Sequence, residues 1–355
     1  MTDRVLVVEP NMEGHRFNYV RLLIAECQRR GLSVVLLTTP SGREDFVAKA
    51  GSTEIPEWEL LPDGTWPFPR DLEVISRKVQ ATTVVVPDGD GIALALARRP
   101  WWRGSGELRI LIMRATAQAG RHPRLQPLRT WIRRAGFAVA EVVPRVTVLT
   151  LGSALDADAN RSEVSDPIEF EPTDQARQVV REAMGPDPDR FWFAIAGWLD
   201  ARKNIPLVLT ALDDAARSAD RPLGLLLAGR QDAELTDTLR AVAPGDVRLA
   251  ALSRHLTDAE LDAAVELSDC MVLAHSNEGP SGILGKAAAA RTKVIAAGAR
   301  TLAKDVQRLG HSAQWVPLDR AALTTAALNA IHQPPAAEVA YATPRDFAIA
   351  LLGLR

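Results

Sequence analysis

Residues 269–298 read DCMVLAHSNEGPSGILGKAAAARTKVIAAG. Two short apolar runs in it, 270–274 and 293–297, fit strands buried on both faces, and the small-residue stretch between them fits a helix. Strand, helix and strand in that order make a parallel crossover unit. The turn before the helix ends in Glu278-Gly279-Pro280-Ser281-Gly282. Ser281 and Gly282 stand where the helix begins, so their backbone N–H groups and the helix dipole form an anion site. Glu278, just before them, is a carboxylate suited to gripping hydroxyls. A diphosphate with a sugar attached needs both features.

The same alternation extends outward. Residues 191–267 give expected strands at 191–196, 223–228 and 247–251, and expected helices at 206–219, 233–242 and 258–267. Thr257 with Glu260 three residues on is a capping-box pattern for the last of these. The first half supplies strands at 5–8, 33–38, 82–86, 108–113 and 146–151, with an amphipathic helix over 15–30 stopped by Gly31. The fold class predicted is α/β: two successive Rossmann-like, doubly wound parallel sheets. Between them, 156–190 is acidic and proline-punctuated, with one expected helix over 173–184. The expected division is a first domain over 1–165, a linker over 166–190, a second domain over 191–343 and an apolar C-terminal helix over 344–355.

A chain of 355 residues with 47% apolar content can bury two cores. Two cysteines, Cys27 and Cys270, fall in different halves, which argues against a disulfide framework and for a reducing, cytoplasmic compartment. MTDRVLVVEP enters a strand directly, so no N-terminal signal is expected, and no apolar run approaches the roughly 20 residues of a membrane span. The net charge of −2 hides an asymmetry: residues 98–145 hold 11 arginines against Glu107 and Glu141. Such a region attracts anionic partners, among them phospholipid headgroups at the inner membrane face, a lipid-diphosphate acceptor or nucleic acid, or else forms a solvated helix face. Few aromatic residues and no recognition motif accompany the arginines, which speaks against nucleic acid. Trp101 and Trp102, beside Arg98, Arg99 and Arg103, fit either insertion at a bilayer interface or core packing.

The chemistry-bearing residues cluster at expected strand ends. Gly197 leaves the strand over 191–196, and Arg202 and Lys203 follow just before a helix. Two adjacent cations at a strand's carboxyl edge can neutralise a diphosphate. In the first half, Gly14 permits close backbone approach before a helix start carrying His15 and Arg16. Asp88 and Asp90, in PDGDG, follow another strand and could orient an acceptor hydroxyl or take its proton, or merely make a turn. No His/Cys/Asp/Glu grouping has metal-ligand spacing.

The 278–298 segment resembles the donor-binding signature of retaining, GT-B-fold glycosyltransferases of the glycogen-synthase-like family 4 type. GWLDARKN, 197–204, looks like that family's phosphate-holding element, and LLLAG, ending at Gly229, is similar to its turn beneath the base. The resemblance implies two Rossmann-like domains facing across a cleft, with the C-terminal helix crossing back to the first. It implies transfer of a sugar, with retention, from a nucleoside diphosphate donor to an acceptor hydroxyl. Polysaccharide, glycolipid and natural-product biosynthesis are the settings it suggests, with no cofactor beyond the nucleotide-sugar co-substrate.

Carried onto this sequence, the family's catalytic residues fall at Arg202, Lys203 and Glu278. The donor set is Gly14, Gly197, Gly229, Gly279, Pro280, Ser281, Gly282, Ile283 and Lys286. His15, Arg16, Asp88 and Asp90 are the acceptor-side candidates. One residue breaks the pattern, because Lys286 stands where the family has a second glutamate that grips the ribose. An ammonium only donates. That substitution leaves a second reading open: a non-catalytic GT-B protein that binds a nucleotide or a partner in a regulatory or scaffolding role.

Overall fold

The computed structural model describes residues 3–51, 55–113, 126–155, 162–232, 245–278 and 281–354. The chain forms two compact units, one of Met1–Gly152, Asp158–Pro167 and Thr343–Arg355, the other of Ser153–Ala157 and Ile168–Ala342.

The first unit is built on seven strands: β1 Arg4–Val8, β2 Ser33–Thr38, β3 Glu57–Leu60, β4 Thr83–Val86, β5 Glu107–Ile112, β6 Val146–Gly152 and β7 Glu163–Ser165. They lie parallel in the order β3-β2-β1-β4-β5-β6-β7. The crossovers include α1 His15–Arg29, α2 Pro40–Lys49, α3 Pro69–Lys78, α4 Asp90–Arg98 and α5 Gln126–Glu141. Gly31 closes α1 as the sequence suggests: it adopts φ +68°, with Gly31 N on Gln28 O and Leu32 N on Cys27 O. This is the two-bond pattern of a Schellman cap. The C-terminal helix, Pro344–Leu352, belongs to this unit. It stacks Phe347 on Tyr19 at 4.6 Å, and Arg109 donates to its last carbonyls, Leu351 O and Ala350 O.

The second unit has six parallel strands, β8 Phe191–Ala196, β9 Leu223–Ala228, β10 Arg248–Leu252, β11 Cys270–His275, β12 Lys293–Gly298 and β13 Ala313–Val316. Their order is β10-β9-β8-β11-β12-β13. β8 and β9 are buried along their whole length, as central parallel strands covered on both faces must be. Helices α6 Asp174–Met184, α7 Ile205–Ala216, α8 Asp258–Leu267, α9 Gly282–Ala290, α10 Thr301–Arg308 and α11 Arg320–His332 cover the faces. Thr257 Oγ1 accepts from Glu260 N and Glu260 Oε2 accepts from Thr257 N, which closes the expected capping box at α8. The helix expected over 233–242 lies outside the described residues.

Residues 168–190, read from sequence as a linker, pack inside this unit. Ile168 N donates to Ala342 O, Val180 and Met184 of α6 enter the core, and Arg177 grips Glu266 of α8. Both cysteines are buried free thiols.

Candidate functional site

In an open parallel sheet, ligands bind at the carboxyl ends of the strands where the strand order reverses. That point lies between β1 and β4 in the first unit and between β8 and β11 in the second. The sequence candidates sort onto these two edges.

At the second unit's edge, β8 runs into Gly197, whose N–H donates to Ala228 O. Gly197 takes φ +95° and the neighbouring Gly229 φ +147°. A Cβ on Gly229 would sit 1.8 Å from Gly197 O, so the close approach of the two loops requires glycine there. Beyond, Ala201–Lys203 form one 3-10 turn capped by Asp200. Arg202 is half-exposed, with Nε and Nη2 both on Asp200 Oδ2 at 2.9 and 2.6 Å. Lys203 folds inward, donating to Ala196 O at 2.6 Å, and burial lowers its pKa to about 8. Asn204, in the left-handed region at φ 48°, donates to Ala274 O, and Ser276 N donates to Arg202 O. These bonds clamp the turn bearing both cations against the end of β11.

The loop after β11 leads to α9, whose N-cap Ser281 makes no side-chain capping bond, and a Cβ on Gly282 would meet open space. Within the first turn Leu284 N already donates to Ser281 O, so Gly282 and Ile283 carry the N–H groups that the helix itself leaves over. Ile283 packs partly into the core, while Gly279 and Pro280 lie outside the described residues.

Two candidates have structural employment. Glu278 accepts from Arg300 N and Thr301 N at 3.1 and 2.9 Å, so it caps α10, and these amides hold its pKa below the usual carboxylate value. Lys286 points from α9 to Glu169 O at 2.8 Å and to the buried Asp262, Oδ1 at 2.5 Å. Asp262 Oδ2 in turn accepts from Glu171 N. The residue that breaks the signature is thus the hub that fastens the 169–171 segment to α8 and α9.

His275 was not singled out by the sequence. It ends β11, and burial, then the charges of Lys203 and Arg202, push its pKa down to about 4. It stays neutral at pH 7, so one ring nitrogen donates and the other accepts.

At the first unit's edge, Gly14 takes φ +57° immediately before α1. His15 lies with its ring 5.6 Å from that of Tyr19. Arg16 places Nε and Nη2 on Asp88 Oδ2, at 2.8 and 2.7 Å, and lies over Trp66. The structure brings Arg16 and Asp88 together but directs Asp90 elsewhere. Asp90 accepts from Met113 N at 2.9 Å and pairs with Arg133 at 2.5 Å, tying α4 to the end of β5 and to α5.

Glu9, the residue after β1, is a second polar group that the sequence did not flag. It is fully buried; Oε1 accepts from Asn11 N at 3.0 Å, and Oε2 has no partner among the described residues. Burial raises its pKa to about 8, against the opposing pull of Arg16. At neutral pH the folded protein therefore holds Glu9 largely as the acid, whereas an unfolded glutamate ionises near 4.5. The folded state binds the extra proton between those values. Stability from this group is complete below about 4.5 and declines by about 1.4 kcal/mol per pH unit up to about 8. Glu9→Gln is expected to remove this part of the slope and to melt above wild type at pH 8. Melting curves of the pair from pH 5 to 9 check it, and parallel profiles would contradict it.

Among the described residues no grouping of His, Cys, Asp and Glu could hold a metal ion. No protein-family profile matches the chain, and no curated protein matches it in sequence. Solved structures do match along nearly its whole length. Anabaena HepE in complex with UDP is similar with a TM-score of 0.61 at 12% identity, over 99% of this chain and 94% of that one. A glycosyltransferase from Rickettsia africae gives 0.59 at 11%, over 99% and 93%. Staphylococcus aureus MnaA with UDP gives 0.59 at 12%, over 98% and 94%. At such identities the likeness shows the fold, which is GT-B.

Proposed function

We propose that this chain is a glycosyltransferase that takes a nucleoside diphosphate sugar as donor at the edge of its second unit. The observation that carries the reading is the clamp just described. It sets Arg202 and Lys203 at the carboxyl end of β8, next to β11 and the loop entering α9. Two cations and a helix N-terminus beside a strand-order reversal suit a diphosphate. Two of the similar structures hold UDP, and one is called a glycosyltransferase.

In this reading Gly197, Gly229, Gly282 and Gly14 let backbone approach the ligands, and Ser281 and Ile283 supply amides. His15, Arg16 and Asp88 contact the acceptor. The bond between the anomeric carbon and the phosphate oxygen breaks as the acceptor oxygen bonds to the same face, with retention. The acceptor's proton passes to the departing phosphate. Arg202, Lys203 and the amides of α9 stabilise the charge that grows there. No cofactor beyond the sugar nucleotide is needed. Buried free thiols accord with a cytoplasmic location, and among the described residues no helix is long and apolar enough to cross a membrane. The arginine-rich 98–145 stretch suits an acceptor that is anionic or borne on a lipid.

A second reading has its own support. Glu278 and Lys286 both serve the packing of the second unit, which fits a nucleotide-binding protein without transferase activity. Thermal-shift titration with UDP, GDP, dTDP and ADP, repeated on Arg202→Ala, is the first test. A ligand at about 100 times its dissociation constant stabilises by about 2.7 kcal/mol. The expected result is a shift with one nucleotide that the variant loses; no shift with any nucleotide would sink the donor site. A shift without sugar release from the matching sugar nucleotides across an acceptor panel would favour the non-catalytic reading.

A further inference from the structure

We propose that the outward face of α5 is a docking surface for an anionic lipid bilayer. The helix is apolar on two sides. Phe137, Ala140 and the following Val143 are buried and hold it to the first unit. On the opposite side Leu128, Trp131, Ile132 and Val139 are exposed, and Val142 just beyond the helix is 77% exposed. Ile132 and Val139 are seven residues apart with the exposed Ala135 between them, and with it these positions share one side of the helix in a stripe about 21 Å long. A continuous exposed apolar stripe on a globular unit marks a contact surface.

The flanking charge chooses the occupant. Arg129 and Arg134 are exposed beside the stripe, and Glu141 is the helix's one acidic residue. Arg145 donates to Trp102 O and thereby sets the 101–103 loop near the C-terminal end of α5. The tryptophan pair divides: Trp102 is buried with Nε1 on Gly106 O, while Trp101 is 43% exposed with Arg99 and Arg103 stacked on it. Exposed tryptophan, leucine and isoleucine rimmed by arginine is the composition of a helix lying in an anionic membrane interface. A protein partner or a second copy would more naturally meet an apolar stripe of this kind with a rim of mixed charge. Arg133 is not part of the surface, since it is paired with Asp90.

The inference extends the reading of a lipid-borne acceptor, but its test does not use donor binding. The test is co-sedimentation with vesicles of phosphatidylcholine alone and with 30% phosphatidylglycerol, for wild type, Trp131→Ser/Ile132→Ser and Arg129→Glu/Arg134→Glu. All four substituted side chains are exposed, and melting temperature checks that both variants stay folded. Wild type is expected to pellet with the anionic vesicles at least tenfold more than with the neutral ones, and each variant to lose most of that binding. Failure of the wild type to pellet, equal pelleting on both vesicles, or full binding by Trp131→Ser/Ile132→Ser overturns the proposal. Light scattering that gives a dimer, made monomeric by Trp131→Ser/Ile132→Ser, overturns it in favour of a second copy. A shift with one of the four nucleotides without vesicle binding sinks this inference alone, and vesicle binding with no shift from any nucleotide sinks only the donor site.

Discussion

Lys203→Met should weaken the binding of a nucleoside diphosphate by about 10- to 150-fold, the worth of one hydrogen bond to a charged group. Loss of sugar transfer should be larger, about 100- to 1,000-fold, because the ammonium meets more charge as the diphosphate departs than in the resting donor. The pKa of about 8 makes the effect pH-dependent. Below pH 8 the wild-type side chain is charged and binds; above it the ammonium is lost and affinity falls by up to about tenfold per pH unit. Lys203→Met should show no such fall. Calorimetric titration of both proteins with the nucleotide that gives the thermal shift, at pH 6.5, 7.5 and 9, measures it. Equal affinities at pH 6.5 would remove Lys203 from the donor site.

Lys286→Ala is the substitution with the largest expected cost in stability. It leaves the buried Asp262 with Glu171 N but without a cation, and breaking one side of a buried pair typically costs 3–5 kcal/mol. A loss of about 3 kcal/mol should lower the melting temperature of a unit this size by roughly 6–12 °C. Lys286→Met with Asp262→Leu removes both charges and should recover most of the loss. The double variant also tests what Lys286 is for. If it binds nucleotide as wild type does, Lys286 is a structural fastener; if binding disappears while stability returns, the lysine reaches the ligand.

The central strands were legible in the sequence because parallel strands buried on both faces leave unbroken apolar runs. FWFAIA at β8, LGLLLA at β9 and CMVLAH at β11 show this. Of the four edge strands only β10, expected at 247–251, was read. β3 is EWEL, half-exposed, and β7 has three residues, so neither carries a hydrophobic signature. In α6 the spacing of Ala176, Val180 and Met184 marks a core-facing helix, but the acidic, proline-rich flanks outweighed it and suggested a linker.

At the candidate site, the glycines and the Arg202–Lys203 pair could be read because their partners are local. The employment of Glu278 and Lys286 could not, since each is fixed by groups brought near only by the fold: the amides of Arg300 and Thr301, and Asp262 with Glu169. Glu9 and His275 did leave a trace. Each is the first polar residue after an apolar strand run, at one of the two strands flanking a reversal of sheet order.

The helix Pro344–Leu352 packs with Val7, Tyr19 and Leu111 in one core of the first unit. On the ribosome this makes the first unit the last to be finished. Its N-terminal residues emerge with an apolar face uncovered and wait while the whole of Ile168–Ala342 is synthesised. At about 5–20 residues per second the wait is on the order of 10–35 s. The second unit, nearly contiguous in sequence, can close during that time. The order of maturation along this chain therefore runs opposite to the order of its sequence, and chaperone demand should fall on the half that is made first.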